Sequence, residues 1–447
     1  MTVTYAPASS RRHVPSADPM PASAVETVAA VATGALPVAD AVGACLAAAR
    51  DGDAAIGAFR VLDERFVEEQ VRRLEGGGPI GPLHGVAVGV KDVIDTGDLP
   101  TGYGSELFAD HHPRRDAVVV ERIRRAGGVV LGKTESTEFA MFRPTRTRNP
   151  VDLQRTPGGS SSGSAAAVAA GMVPVALGTQ TAGSVIRPAA YCGVYGLKPS
   201  RGWTPTDGIW RLADSLDTVG VFARTATDLA LVYAALADEP VPAPATRRLL
   251  PRRRAVVLRC AEWGEADADV HNVLDATARA LETEGWAVAE ARLPAGWAEL
   301  PADHATVMAV EVAGSLTDRL GARVADISPA ARAIVEQGEQ CSAREYRRAL
   351  AARDRALAGT AALAVAGSLV LAPSALGVAP VGLEFTGDPV MCRPWTLLGL
   401  PCANVPGFRR PDGLPVGVQV IGLVPDDRRF LQDLLDIETA LSAHPSR

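Results

Sequence analysis

Two serines in the segment "PGGSSSGSAAAVAAGMVPVALGTQTAGSVIRPAAYCG", residues 157–193, sit where nucleophilic chemistry can be assembled. Ser160 lies in a Gly/Ser loop that runs into an Ala-rich helical pattern. Ser184 lies in a tight loop after a buried apolar strand. If that helix and strand run antiparallel, the chain returns the second loop to the first. The backbone N–H groups of Thr181, Ala182, Gly183 and Ser184 are then placed to converge on a developing oxyanion. Such donors usually supply the largest single contribution in acyl transfer.

A hydroxyl nucleophile also needs a base, and lysine is an accepted partner for serine. A free lysine titrates at about 10.4, so it serves near neutral pH only where burial lowers that value. Lys91 closes the strand "GVAVGVKDVI". Val86, Val88 and Val90 fall on one face, and Ala87, Gly89 and Lys91 on the other. The small residues on the second face leave room around the lysine, which suits a buried, neutral amine.

Two other motifs compete for attention. "GGVVLGKT", from Gly127 to Thr134, fits the pattern of a phosphate-binding loop. That mechanism needs an open loop after a strand, whereas here the variable residues are themselves the strand, so Lys133 is read as a surface residue. "GSSSG", from Gly159 to Gly163, fits G-x-S-x-G with Ser161 as nucleophile. Such an elbow must follow a strand, and the preceding "NPVDLQRTPG" is turn-like. Of the histidines such a site would need, His271 falls in a helical pattern, His304 shows no acid partner and His444 lies near the C-terminus. His111-His112 before Pro113 reads as a polar turn, and no metal-binding motif is present.

The elements that must position these residues alternate. Residues 24–75 read as helices. The unit "DAVVVERIRRAGGVVLGKTES" reads as helix, glycine turn and strand, and "TAGSVIRPAAYCG" as a loop. "AVVLRC", "DADVHNVLDATARALETEG" and "WAVAEARLP" read as strand, helix and strand. Residues 303–366 read as mostly helical, and "LVLAPSA" and "GLPVGVQVIG" as strands. This alternation implies a three-layer α/β fold. Residues 1–23 read as a disordered tail and "EPVPAPATRRLLPRRR" as a solvated connection.

Composition narrows the function classes. The chain has 447 residues, 47% hydrophobic and 21% charged, with a net charge of −6. It has the means to build a large core, and it lacks the basic balance of a nucleic-acid-binding surface. No apolar run reaches the length of a membrane span. Six scattered cysteines without a C-x-x-C pair fit free, mostly buried thiols in a reducing cytoplasm.

The stretch "GGSSSG…AAAVAAG…LGTQTAGSVIRPAAYCG", with the lysine of "GVAVGVKD", strongly resembles the amidase signature family. "LGKTESTEFA", "SLDTVGVFAR" and "RPWTLLGLPCANVP…GLPVGVQVIG" extend the resemblance along nearly the whole chain after the tail. The resemblance implies one large α/β domain over residues 24–447, a mixed sheet covered by helices on both faces. It implies Ser184 as nucleophile, Ser160 as proton relay joined by a cis peptide, Lys91 as base, the 181–184 N–H groups as oxyanion donors, and no cofactor. One departure is Ala182 where glycine is commoner, because a positive φ there would strain its Cβ. A second is Arg187, three residues after Ser184, an arrangement similar to malonamidase, where an arginine so placed binds a substrate carboxylate. Arg187 thus has two readings, substrate binding or bracing of the loop. The implied reaction is C–N cleavage of a small carboxylic amide, by a monomer or a homodimer. The alternative is the glutaminase component of an aminoacyl-tRNA amidotransferase. The pocket is expected from residues 138–146 and 303–390, and Met141, Phe142 and Trp395 have two readings each, pocket lining or plain core.

Overall fold

Period-two alternation in the central strands sorts their side chains onto two faces, and the fold follows from covering both. The computed structural model describes residues 22–78, 80–237, 253–366 and 368–444. Its strands are β1 (Phe59–Leu62), β2 (Ala87–Lys91), β3 (Val129–Thr134), β4 (Val175–Gln180), β5 (Tyr195–Lys198), β6 (Thr218–Ala223), β7 (Arg254–Val257), β8 (Ala287–Glu290), β9 (Leu369–Pro373), β10 (Cys402–Arg409) and β11 (Pro415–Gly422). Its helices are α1 (Ala24–Ala32), α2 (Val38–Ile56), α3 (Glu64–Glu75), α4 (Val118–Arg125), α5 (Ser162–Ala169), α6 (Ile186–Cys192), α7 (Ala226–Ala237), α8 (Ala268–Thr283), α9 (Leu300–Leu320), α10 (Pro329–Gln340), α11 (Ala343–Ala366), α12 (Arg393–Leu398) and α13 (Asp427–Ala443).

All the strands join one mixed sheet in the order β1-β3-β2-β4-β6-β5-β10-β11-β9-β7-β8. On one face Val88, Val90, Val130, Val175 and Leu177 pack into the larger core with α4 and α7. On the other, Ala87, Val129, Leu131 and Ala176 pack with α2, α5 and α6. The valine/small-residue split read from β2 is therefore the split between the two cores. Its reason differs from the one expected. A Cβ on Gly89 would lie 2.9 Å from Thr134 Cγ2 and 3.3 Å from Ala176 Cβ, so the small residue admits neighbouring strands rather than leaving free space.

Three local readings are corrected. The four-residue strand β1 interrupts the helices of residues 24–75, too short to show a period of its own. The stretch after Ser184 is a helix, α6, not a continuous loop. Pro188 falls in its first turn, where a missing N–H costs nothing, and Gly193 ends it at φ 72°. Lys133 is fully buried rather than on the surface. Its Nζ donates to Ile94 O at 2.8 Å and bonds Thr101 Oγ1, with Asp92 Oδ1 at 3.7 Å. Burial lowers its pKa to about 8, against the pull of Asp92. Its place inside β3 also removes the open loop that phosphate binding requires. Residues 1–21, and all but Arg253 and Arg254 of the arginine-rich connection, lie outside the described residues.

Candidate active site

Parallel pairing carries the lysine to the serine loops. Strands β2 and β4 run side by side with Val88 opposite Val175 and Val90 opposite Leu177. Both therefore end at the same edge of the sheet, where α/β proteins commonly hold ligands. Lys91 closes the first strand, and Thr179, Gln180 and the 181–184 loop close the second. Helix α5, between the two serine loops, returns the chain so that Ser160 also meets this edge.

Lys91 Nζ lies 2.7 Å from Ser160 Oγ, 2.8 Å from Thr179 Oγ1 and 3.5 Å from Thr179 O. The side chain is fully buried, and among the described residues no carboxylate pairs with it. Desolvation holds its pKa well below the ordinary lysine value, opposed only by the charge of Asp217. A neutral amine has two N–H donors and one lone pair. The two Thr179 oxygens take the donors, which leaves the lone pair for the Ser160 hydroxyl proton. Residue type gives no sign of Thr179, which reaches Lys91 where the parallel β2 and β4 end at the same edge of the sheet.

The Gly159–Ser160 peptide is cis, as the resemblance implied. Ser161, the rival nucleophile, is turned away. Its Oγ donates to Thr179 O at 3.3 Å, and it is fully buried with no strand before it.

The loop after β4 is held on several sides. Gln180 Oε1 accepts from Val185 N at 2.8 Å and Ile186 N at 3.1 Å. Thr181 Oγ1 donates to Asp217 Oδ1 at 2.5 Å. Asp217 arrives there because β6 pairs antiparallel with β4, Thr218 opposite Gln180. Ala182 is absent from the residues with positive φ, so the expected strain of its Cβ does not arise. Gly183 answers a close approach instead: a Cβ there would lie 3.0 Å from Pro389 Cβ and 3.1 Å from Cys392 Cβ.

Burial raises the pKa of Asp217 to about 6, with its bonds to Thr181, Leu212 and Ala213 opposing. Its negative charge in turn favours the ammonium form of Lys91. Lys91 can act as a base only when neutral, so the acid limb of kcat/KM reports its protonation. Asp217→Asn removes the charge and is expected to shift that limb to lower pH. A pH–rate profile with an unmoved limb would show that the two groups do not communicate.

Ser184 lines a narrow cavity of about 20 Å³. Its lining includes Met141, Phe142, Thr181, Ala182, Arg187, Met308, Val312 and Ile334. Met141 and Phe142 are thus among the lining residues, and α9 and α10 supply part of the lining from residues 303–390. Trp395 is not among them: it is fully buried in the core, its ring 5.4 Å from that of Trp263 and 5.8 Å from that of Trp297.

Arg187 does brace a loop. Its Nη2 donates to Gly159 O at 2.6 Å and lies 3.4 Å from Thr386 Oγ1. Yet its Nε and Nη1 are buried without a partner, and burial lowers its pKa. A buried guanidinium with idle donors is costly until an acceptor meets it.

The amidase family model matches residues 40–431. The A-type subunit of the glutamyl-tRNA(Gln) amidotransferase from Roseiflexus castenholzii is 34% identical over 434 residues, 84% of this chain and 87% of that relative. Its counterpart from Thermus thermophilus is 47% identical over 207 residues, and the chain spans only 43% of its length. Among solved structures, an amidase superposes with a TM-score of 0.84 at 26% identity, covering 95% of this chain and 100% of that one. The peptide amidase of Stenotrophomonas maltophilia gives 0.79 at 27% identity over 97% and 99%. The Thermotoga maritima A-type subunit of the glutamyl-tRNA(Gln) amidotransferase gives 0.71 at 26% identity over 88% and 89%. With the family model spanning nearly the whole chain and solved amidases sharing its fold, this protein belongs to the amidase family of amide-hydrolysing enzymes.

Proposed function

We propose that this chain hydrolyses the C–N bond of a small carboxylic amide through an acyl-enzyme on Ser184, with Ser160 relaying protons to Lys91. The observation that carries this reading is the buried, carboxylate-free lysine 2.7 Å from Ser160 Oγ. In this reading Ser184 Oγ attacks the carbonyl carbon. Its proton passes to Ser160, whose own proton passes to Lys91. The 181–184 N–H groups receive the oxyanion. When the tetrahedral adduct collapses, the C–N bond breaks, and the relay returns a proton to the leaving nitrogen. Water then attacks the acyl carbon, gives its proton to the same relay, and releases the acid and Ser184. Turnover of a panel of amides by the purified chain, with Ser184→Ala as control, tests the reading.

The cavity argues for a small substrate with one polar end. Its walls are mostly apolar, and the buried guanidinium of Arg187, with Nε and Nη1 lacking a protein partner, offers charge and donors to an acceptor such as a carboxylate. Arg187→Lys keeps the charge but loses the planar guanidinium and its idle donors. We expect it to raise KM for carboxylate-bearing amides by on the order of 10-fold or more, about 1.4 kcal/mol per decade. Neutral amides should change much less in KM. Equal losses for all substrates, with a lower melting temperature, would leave only the brace to Gly159.

A second reading is supported by the curated relatives, which back it better than a free-standing amidase. It is the glutaminase component of an amidotransferase, releasing ammonia to a partner, and the 34% identity to such a protein over 84% of the chain favours it. The higher TM-score of the amidase, 0.84 against 0.71, favours the first. Glutamine in the amide panel, with and without the partner proteins, separates the two. The same preparations give the assembly: monomer, homodimer or heteromer. We place either enzyme in the cytoplasm, on the strength of six free cysteines, which a reducing compartment preserves.

A further inference from the structure

We infer that His304 of α9 and Thr396 of α12 are positioning residues that aim the oxyanion donors of the 181–184 loop. The inference rests on the Ser184 reading and names what holds its electrostatic half in place. A trans peptide points its C=O and the following N–H in opposite directions. Fixing the carbonyl therefore fixes the donor. His304 Nε2 donates to Thr181 O at 2.8 Å, which orients the N–H of Ala182. Thr396 Oγ1 donates to Ala182 O at 2.8 Å, which orients the N–H of Gly183. Both carbonyls are thus drawn toward helices that pack on the loop. Among the described residues, no acceptor takes the N–H of Ala182, Gly183 or Ser184. Ala182 and Ser184 line the cavity.

His304 is built for the task. It is fully buried, and burial, helped by the charge of Arg393, lowers its pKa to about 3. It is therefore neutral at working pH. The carbonyl can only accept, so Nε2 carries the single proton and Nδ1, which has no partner, is bare. One helical turn and two turns further along α9, Met308 and Val312 line the cavity itself. The same helix face thus sets the loop and walls the substrate. Thr396 is tied in turn, accepting from Gln180 Nε2 at 3.0 Å while Gln180 Oε1 accepts from Val185 and Ile186.

The test compares His304→Leu, His304→Gln, Thr396→Val and Thr396→Ser on an amide that the wild-type chain turns over. Glutamine carries an amide N–H at about the reach of Nε2, and serine keeps the Thr396 hydroxyl. Leucine and valine should each lower kcat by on the order of 10- to 100-fold, approaching the loss seen when an oxyanion donor is removed. KM should stay within about twofold, and glutamine and serine should recover most of the rate. Affinity for a tetrahedral boronate should fall in step with kcat/KM, while affinity for the product acid stays level. If His304→Leu does not fold, the Thr396 pair alone decides. Folded leucine and valine variants that keep wild-type kcat, or that lose boronate and product affinity equally, overturn the positioning role. A fully active Ser184→Ala chain would instead remove the reading on which it rests.

Discussion

Replacing Ser184 by alanine is expected to lower kcat/KM by about 10⁴-fold or more while leaving the fold intact. The basis is the way a nucleophile and its relay act as one unit: in hydrolases built this way, removing one member costs nearly as much as removing all. Ser184 is only 7% exposed and lines the cavity. Loss of one oxygen there leaves a void smaller than a methyl group, so stability should change by less than about 1 kcal/mol. Ser160→Ala and Lys91→Ala should each lower the rate by about 10³-fold, and the triple variant should be little slower than Ser184→Ala alone. Additive losses, each multiplying the next, would show three independent contributions rather than a relay. Steady-state rates of the four variants on one amide, with melting curves as the folding control, decide the matter.

Replacing Lys91 by methionine is expected to lower turnover about 10³-fold and yet raise the melting temperature. Burial keeps the folded-state pKa of Lys91 well below its ordinary value. Between that lowered value and about 10.4, the unfolded chain binds a proton that the folded chain refuses. Stability therefore rises with pH across that window. The cost is greatest below the folded-state pKa and vanishes above the unfolded one. Methionine fills a similar volume and titrates nowhere, so the cost disappears. Against this stand the lost bonds to Ser160 and Thr179, each contributing about 1 kcal/mol. We expect desolvation to win, with a gain on the order of 2–4 °C at about pH 7 that fades as the pH approaches the ordinary lysine value. A variant that melts lower than wild type at every pH would mean that the amine is not burdened by burial. The expected pattern, more stable and far less active, is the usual mark of a residue kept for chemistry rather than folding.

Much of the site can be read from residue types, and the reason is local. The long Gly/Ser stretch fixes two loops around one helix and one strand, so Ser160 and Ser184 are legible within one continuous segment, residues 157–193. The alternation of Val and small residues in β2 marks both its faces and hence the burial of Lys91. What stays hidden depends on contacts between distant segments. Thr179 meets Lys91 only because the parallel strands β2 and β4 end at the same edge of the sheet. His304 reaches Thr181 across 123 residues, so a lone histidine in a helical pattern gives no sign of its partner. Lys133 reads as a surface residue because a lysine beside a glycine turn is usually solvated. Here Asp92, Ile94 and Thr101, brought from the β2 end, surround it. Trp395 is core rather than pocket lining for the same reason: its neighbours Trp263 and Trp297 come from another part of the chain. Short strands are the least legible. Four residues such as β1 show no period, and pairing with β3 alone defines them.

The most direct test of the central claim is to trap the covalent intermediate. The purified chain is treated with a fluorophosphonate, or mixed rapidly with an activated ester, then quenched in acid, and the modified peptide is located by mass spectrometry. One adduct per chain is expected, on Ser184, absent from Ser184→Ala and formed much more slowly by Lys91→Met. An adduct on Ser161, or none on any residue while the amide is still being hydrolysed, would contradict that claim.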